Sequence, residues 1–315
     1  EKKKVISRIR GYHGVTIASA SMTGLPYNHA SFDLPIDGVL HTTCPHYWRE
    51  GQEGESEEAF ATRCADDLDA MIQAEGPDTI AAFIAEPVMG AGGVVVPPAT
   101  YWEKIQAVLA KYDILLIADE VICGFGRTGN MFGCETFGIS PDIMTMSKQI
   151  TSSYFPFSAF MMTEEVYAPI ADESGRIGVL GHGYTGGAHP VGAAVALENL
   201  KIIEERDLVT NAAERGAELQ AGLRGFADHP LVGEARGVGL IGALEIIAPE
   251  THTDALKPGQ LGLAMNKHFL KNGLISRNML DAMAFCPPLI VTSDHVKDIL
   301  SAVERSLEGF TAEMA

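Results

Sequence analysis

At 315 residues, with 46% hydrophobic and 20% charged side chains, the chain has the composition of a globular protein with room for two domains. Its formal net charge of -18 excludes the basic surface that nucleic-acid backbones and anionic membranes require. The 5 cysteines are odd in number and form no CxxC pair, so neither a disulfide framework nor a zinc site is expected, and no apolar run reaches the ~20 residues of a membrane span. With no secretory leader pattern either, these features fit a reducing, cytoplasmic setting.

In chain order, residues 5–9 predict a strand that starts without an initiator Met, as though entered from inside a domain. Tyr12-His13-Gly14 follows and reads either as an ordinary turn or as an aromatic surface on which a flat ligand could stack. Residues 21–48, rich in Pro, His and Asn and aperiodic, predict a loop or lid. His41, Cys44 and His46 lie close together there but lack further ligands at metal spacing, so no metal is expected. Phe60, Cys64, Leu68, Met71 and Ile72 recur at helical spacing behind an acidic first turn and predict a helix from about residue 56 to 75.

A buried strand over 79–85 ends at Glu86-Pro87, whose carboxylate could be capped by backbone amides or serve a site. Residues 90–98 predict a glycine-rich turn into a short β run. They lack the lysine and helix start of a nucleotide loop. A helix over 98–112 leads to the apolar strand 114–118, and the βαβ alternation requires a parallel sheet.

That strand ends at Asp119, and a second apolar run, Asp142-Ile-Met-Thr-Met-Ser-Lys148, ends at Lys148. Ligands sit at the carboxyl ends of strands in open α/β sheets, so the two charged residues are expected in one pocket. An Asp beside a Lys is a plain ion pair on one reading. On the other it serves pyridoxal phosphate, whose aldehyde takes a lysine as a Schiff base and whose ring nitrogen needs a carboxylate.

Downstream, residues 157–162 form another apolar run, and Gly181-His-Gly-Tyr-Thr185-Gly-Gly opens a long helix over 191–205. Such a loop suits an anion, although Thr185 by itself is only a loop residue. A smaller domain is expected to begin near 206, with helices over 208–226, 260–272 and 294–310 and strands over 274–277 and 285–292; Ser293 or Asp294 would cap the last helix. Gly237-Val-Gly239-Leu-Ile-Gly242 matches a dinucleotide fingerprint by letter, but it runs on into a strand instead of a helix, which argues against nicotinamide chemistry.

The segment Asp119-Glu-Val-Ile-Cys-Gly-Phe-Gly-Arg-Thr-Gly129, with Pro141 to Lys148 behind it, resembles the signature of the class III (ω-amino) aminotransferases; Tyr12-His13-Gly14, Glu86-Pro87 and Gly183-Tyr-Thr185 match further family motifs in order. The resemblance implies an α/β protein of PLP fold type I, with a mostly parallel sheet in a large domain (1–206) and a smaller C-terminal α/β domain (207–315). It implies pyridoxal 5'-phosphate as cofactor and a ping-pong transfer of an amino group from a primary amine or ω-amino acid to a keto acid or aldehyde. Lys148 would form the Schiff base and move the proton, while Asp119 would hold the ring nitrogen. Tyr12 and Val121 would sandwich the ring, with His13, Gly14 and Glu86 close to the cofactor. Thr185 would reach the cofactor phosphate of the neighbouring subunit in a homodimer.

Family members normally carry a further N-terminal portion with a Gly/Ser-rich phosphate loop, and nothing here matches it; a fragment is therefore expected. Three departures stand out: Gln149 follows the lysine where many relatives have glycine, Ile122 replaces a glutamine, and Ser293 stands where many amine:pyruvate transaminases place an arginine that clasps the keto-acid carboxylate. Serine cannot make that bidentate pair, which leaves Arg277 as the nearest alternative. Racemase or lyase-like relatives, or an inactive binding protein on the same fold, are the competing expectations.

Overall fold

The computed structural model describes residues 2–249 and 256–314. Its first sheet contains β1 (Lys4–Arg8), β2 (Val39–Thr42), β3 (Ile80–Ala85), β4 (Leu115–Asp119), β5 (Ile143–Met146) and β6 (Ala159–Met162), in the order β2-β1-β3-β4-β5-β6. All neighbours are parallel except β5 and β6, so the sheet is mostly parallel as expected. The chain steps to one side of β1 for β2 and to the other side for β3. That reversal opens a crevice beyond the strand ends.

The helix Glu57–Glu75 is capped by Ser56, whose hydroxyl accepts from the Ala59 amide, and carries Glu57 and Glu58 at its positive end. Its apolar stripe and that of the helix Tyr101–Lys111 pack on one face of the sheet, burying Phe60, Leu68, Ile72, Ile105 and Leu109 against Ile6, Phe83 and Leu116. β3, and β4 up to its terminal Asp119, are apolar because both their faces are covered.

A second sheet is antiparallel: β7 (Val232–Val238), β8 (Ile241–Ile246), β9 (Arg277–Met279) and β10 (Ala282–Phe285), ordered β7-β8-β10-β9. The helices Leu208–Arg224, Gln260–Lys271 and Ser293–Met314 pack with it in a core built around Leu219, Leu244, Phe269, Met283 and Phe310. The Gly237-to-Gly242 stretch is the β7–β8 hairpin, so the fingerprint letters have no nucleotide role. Gly239 has φ +54°, and a Cβ there would lie 2.4 Å from the Thr128 carbonyl carbon; the hairpin tip is pressed onto the loop after β4.

Three expectations are corrected, and one helix was not expected. The 21–48 stretch contains the edge strand β2 and short helices at Pro26–His29 and Tyr47–Glu50, since a parallel edge strand of four residues shows too little pattern to be read. The helix Glu164–Ile177, over which no element was expected, carries Pro169 and buries none of its residues. The strands expected at 274–277 and 285–292 lie at β9 and β10, because the turn falls at Leu280 and Asp281, with Leu280 at φ +54°. The cap of the last helix is Thr292, whose Oγ1 accepts from the His295 amide at 3.3 Å.

In the helix Leu208–Arg224, Gly216 lies against the hairpin, with 2.5 Å from an added Cβ to the Gly239 carbonyl carbon. Both groups are backbone and cannot give way cheaply, so Gly216→Ala is expected to lower stability by about 1–3 kcal/mol, read from the urea midpoint.

Candidate active site

Four loops leave the carboxyl ends of β1, β3, β4 and β5 side by side. After β4, Asp119 is buried, and its two oxygens are committed: Oδ1 accepts from the Val121 amide at 3.1 Å and Oδ2 meets His13 Nδ1 at 2.7 Å. His13 itself comes from the loop after β1. Its other ring nitrogen, Nε2, is buried without a partner among the described residues.

Glu86, at the end of β3, is also buried. Its Oε1 accepts from the Tyr12 amide at 3.0 Å and its Oε2 from the Gly90 amide at 2.8 Å. Burial raises the pKa of its carboxyl, the Asp119 charge adds to that, and His13 works against it. The carboxylate capped by backbone amides is therefore what the structure shows, within electrostatic reach of Asp119. Glu120, the next carboxylate along, has a different job: it accepts from the Gly133 and Cys134 amides at 3.0 and 2.6 Å and closes the start of a short helix.

Lys148 follows β5 at φ +44°, a left-handed conformation that a lysine adopts only when its surroundings impose it. Its Nζ makes no hydrogen bond or ion pair with a described residue. The simple Asp–Lys pair is thus absent, since Asp119 is paired with His13 instead. Lys148 opens into a cavity of about 790 Å³ whose wall also includes Tyr12, Ile122, Arg127, Gln149 and Arg277. Loss of solvent in this recess lowers the lysine's pKa; Asp119 and Glu86 pull it up and Arg277 pushes it down again.

Among the described residues the cavity wall carries three cations, Arg127, Lys148 and Arg277, and no carboxylate, in a chain of net charge -18. Arg127 is fixed by donating to the Leu240 and Pro287 carbonyls, 2.9 and 2.5 Å away. The Arg277 side chain makes no hydrogen bond or ion pair with a described residue. The wall contains apolar contributions from Tyr27, Ile241, Ile275, Met279 and Ala284.

Of the residues singled out from sequence, His13, Glu86 and Asp119 form one buried cluster, with Tyr12 and Lys148 on the cavity above it. Gly14, at φ +130°, lets the chain turn away after His13, and Val121 contributes its amide to Asp119. Ser293 starts the last helix and is not on the cavity wall, and Thr185 lies on an exposed loop away from it. Arg127 was quoted in the signature without a role. Tyr27 and Asn28 come from the aperiodic stretch, where no spacing signals a cavity wall.

The donor set fits pyridoxal 5'-phosphate: a carboxylate anchored from two sides, an unpaired lysine, an aromatic ring on the wall and a cationic recess within the usual ~300–1,000 Å³ of ligand pockets. The family model for Aminotransferase class-III matches residues 1–307. The chain belongs to the class III aminotransferases. A gamma aminobutyrate transaminase 3 of Solanum lycopersicum is 47% identical over 98% of this chain and 59% of its own length, so the chain spans somewhat more than half of that relative. A diaminobutyrate–2-oxoglutarate transaminase of Halomonas elongata is 48% identical over 99% of this chain and 68% of its own. Among solved structures, a transaminase with L-alanine superposes at TM-score 0.98 and 64% identity, covering 100% of this chain and 74% of the other. The ω-transaminase of Pseudomonas jessenii in complex with PMP superposes at TM-score 0.97 and 58% identity, covering 99% and 69%. This class III aminotransferase has fold type I, and pyridoxal 5'-phosphate is the cofactor of its family.

Because the folded state lowers the lysine pKa from 10.5, it disfavours the ammonium form, and stability rises as pH climbs toward that value. Lys148→Met is therefore expected to raise the melting temperature of the cofactor-free protein at pH 7, with the gain shrinking as pH rises toward 10.5. Thermal denaturation across that range checks it.

Proposed function

We propose that this chain carries out transamination with pyridoxal 5'-phosphate, moving an amino group from a primary amine or ω-amino acid to a keto acid or aldehyde in two half-reactions. The observation that carries this reading is Lys148, unpaired and strained, opening above an Asp119 already held by His13 and Val121. Transaminase names among the relatives support it over racemase, lyase or inactive alternatives.

When bound, the cofactor supplies a carbonyl for amine exchange and an electron-withdrawing ring that acidifies the substrate's C–H. Asp119 presents a fixed negative charge suited to a protonated ring nitrogen, and His13 keeps that carboxylate from swinging. Tyr12 offers a flat face, itself set by the Glu86 carboxylate on its backbone amide. Lys148 Nζ, with its lowered pKa, is the group able to take a proton from a substrate carbon and hand it on.

Arg277 is the residue placed to hold a substrate carboxylate, since Arg127 is committed to backbone carbonyls and Ser293 lies off the wall. The domain reading, 1–206 and 207–315, follows the two sheets, with the cavity walled by residues of both. The free thiols of all five cysteines suit a reducing cytoplasm. Tyr184, next to Thr185 in sequence, is exposed (80%), as are Tyr154 (87%), Leu197 (68%) and Met161 (61%). These apolar side chains are fitted to a second copy in a homodimer, which would carry the Thr185 loop to the partner's cavity.

Lys148→Ala is expected to abolish turnover and the absorbance band that pyridoxal 5'-phosphate gives when joined to the protein; retention of both sinks the assignment. Asp119→Asn should retain the cofactor but lose about 10²–10⁴-fold in kcat, by analogy with other positioned acid–base groups. Arg277→Ala should raise KM about 10–100-fold for keto acids, one charge-assisted pair lost, and leave KM for a neutral aldehyde unchanged.

A further inference from the structure

Away from the cavity, a buried ionic cluster joins the two sheets. Glu234 of β7 and Glu245 of β8 face each other in register across the strand pair, an arrangement that by itself repels. Arg236 lies two residues from Glu234 and neutralises both, with Nη1 2.5 Å from Glu234 Oε2 and Nη2 2.7 Å from Glu245 Oε2. From the other sheet's loops, Arg49 reaches Glu245 Oε1, and His46 Nε2 lies 2.8 Å from Glu234 Oε2. His46 Nδ1 faces the Arg10 guanidinium at 3.4 Å, so its neighbours favour a neutral ring with the hydrogen on Nε2.

His46, Glu234 and Glu245 offer ligand atoms within 4.8 Å of one another, a spacing a divalent cation accepts. Here both Glu245 oxygens are taken by arginines, and Glu234 Oε2 is shared by Arg236 and His46. The cluster is a charge lock.

The lock has one part that charge balance does not require. Arg236 also donates through Nε to the Gly93 and Val94 carbonyls, both at 3.0 Å, and through Nη2 to Gly93 at 2.5 Å. Those carbonyls belong to a turn closed by Gly93 and Val94 amides on the Gly90 carbonyl, each at 3.1 Å, and by the Met89–Val95 bridge. Gly90, Ala91 and Val94 line the cavity, and the Gly90 amide is one of the two that hold Glu86.

We infer that Arg236 is a positioning residue for the active site: its guanidinium holds the 90–94 turn, and through Gly90 and Glu86 it fixes Tyr12 on the cavity wall. It touches no cavity space itself. It acts across the sheets, so the spacing of the two cavity walls and the placement of Tyr12 are set by one side chain. Only the kinetic arm of the test rests on the transamination reading.

The test uses the holoenzyme and three variants. Glu245→Gln removes two ion pairs, to Arg49 and to Arg236, and leaves the Arg236 guanidinium on both carbonyls; its melting temperature should fall while amide exchange at Gly90, Gly93, Val94 and Val95 stays at the parent rate. The triple variant Glu234→Gln/Arg236→Met/Glu245→Gln leaves no member of the trio charged and unpaired, so the fold is kept. In it those amides should exchange at least about tenfold faster. Its kcat/KM should fall at least about tenfold, the loss residing mainly in kcat, as misplacement of a site wall implies. Arg236→Lys keeps the charge but not the planar fork and should show the same loss of protection. Parent-like exchange at these amides in the triple variant or in Arg236→Lys overturns the proposal. So does an equal kinetic loss in Glu245→Gln, which would trace the effect to stability alone. If the parent enzyme fails to transaminate, the exchange measurements still decide the role of Arg236, and it is the functional reading that falls.

Discussion

Two carboxylates buried at adjacent strand ends set the terms for the rest of the molecule. Asp119 and Glu86 are 6% and 3% exposed, and an isolated buried carboxylate costs several kcal/mol unless its oxygens are met. The chain meets them by different means. Glu86 is wrapped by backbone amides from two loops, and its burial leaves its carboxyl with a raised pKa. Asp119 receives one amide and an imidazole. Only Asp119 is therefore anchored by a side chain as well as by an amide, and the two groups, alike in type, take different duties.

The same logic runs in reverse at the cavity. A chain with 41 acidic and 23 basic residues would be expected to coat any cleft with carboxylates, yet the wall carries none and gathers three cations. One cation is tied to carbonyls and one is the strained lysine, so the third is free to select. Local field here opposes the field of the whole protein, which favours anionic ligands inside while keeping the outer surface self-repelling. The acidic surplus is spent elsewhere, on helix starts such as Glu57 and Glu58 and on surface pairs such as Lys111 with Asp69.

What the sequence disclosed follows from which forces act locally. The buried parallel strands announced themselves because both faces are apolar, and the charged residue at each strand end marked the site before any geometry was known. The helix 57–75 was legible from its acidic first turn and its apolar stripe. β2 was not, because four residues at a sheet edge carry too little pattern, and Glu164–Ile177 was not, because Pro169 inside it reads as a helix breaker. The pairing of His13 with Asp119 and the clasp of Arg236 on Gly93 are long-range contacts that no spacing in one segment can reveal. Glycines in the β7–β8 hairpin imitated a nucleotide fingerprint because close packing of backbone on backbone asks for the same residue as close packing of backbone on phosphate.

The crossing of the chain over β1 has a kinetic side. His13 and Asp119 are 106 residues apart in sequence, and Arg236 is 143 residues from Gly93. Closing such loops costs chain entropy before any contact rewards it, and topologies built on distant pairings fold slowly. The floor of the site cannot exist until β4 has docked beside β3, and its wall is not fixed until the hairpin of the second sheet arrives. A chain still emerging from the ribosome therefore holds Lys148 on an unfinished surface, and competence to bind comes last, as a property of the completed fold.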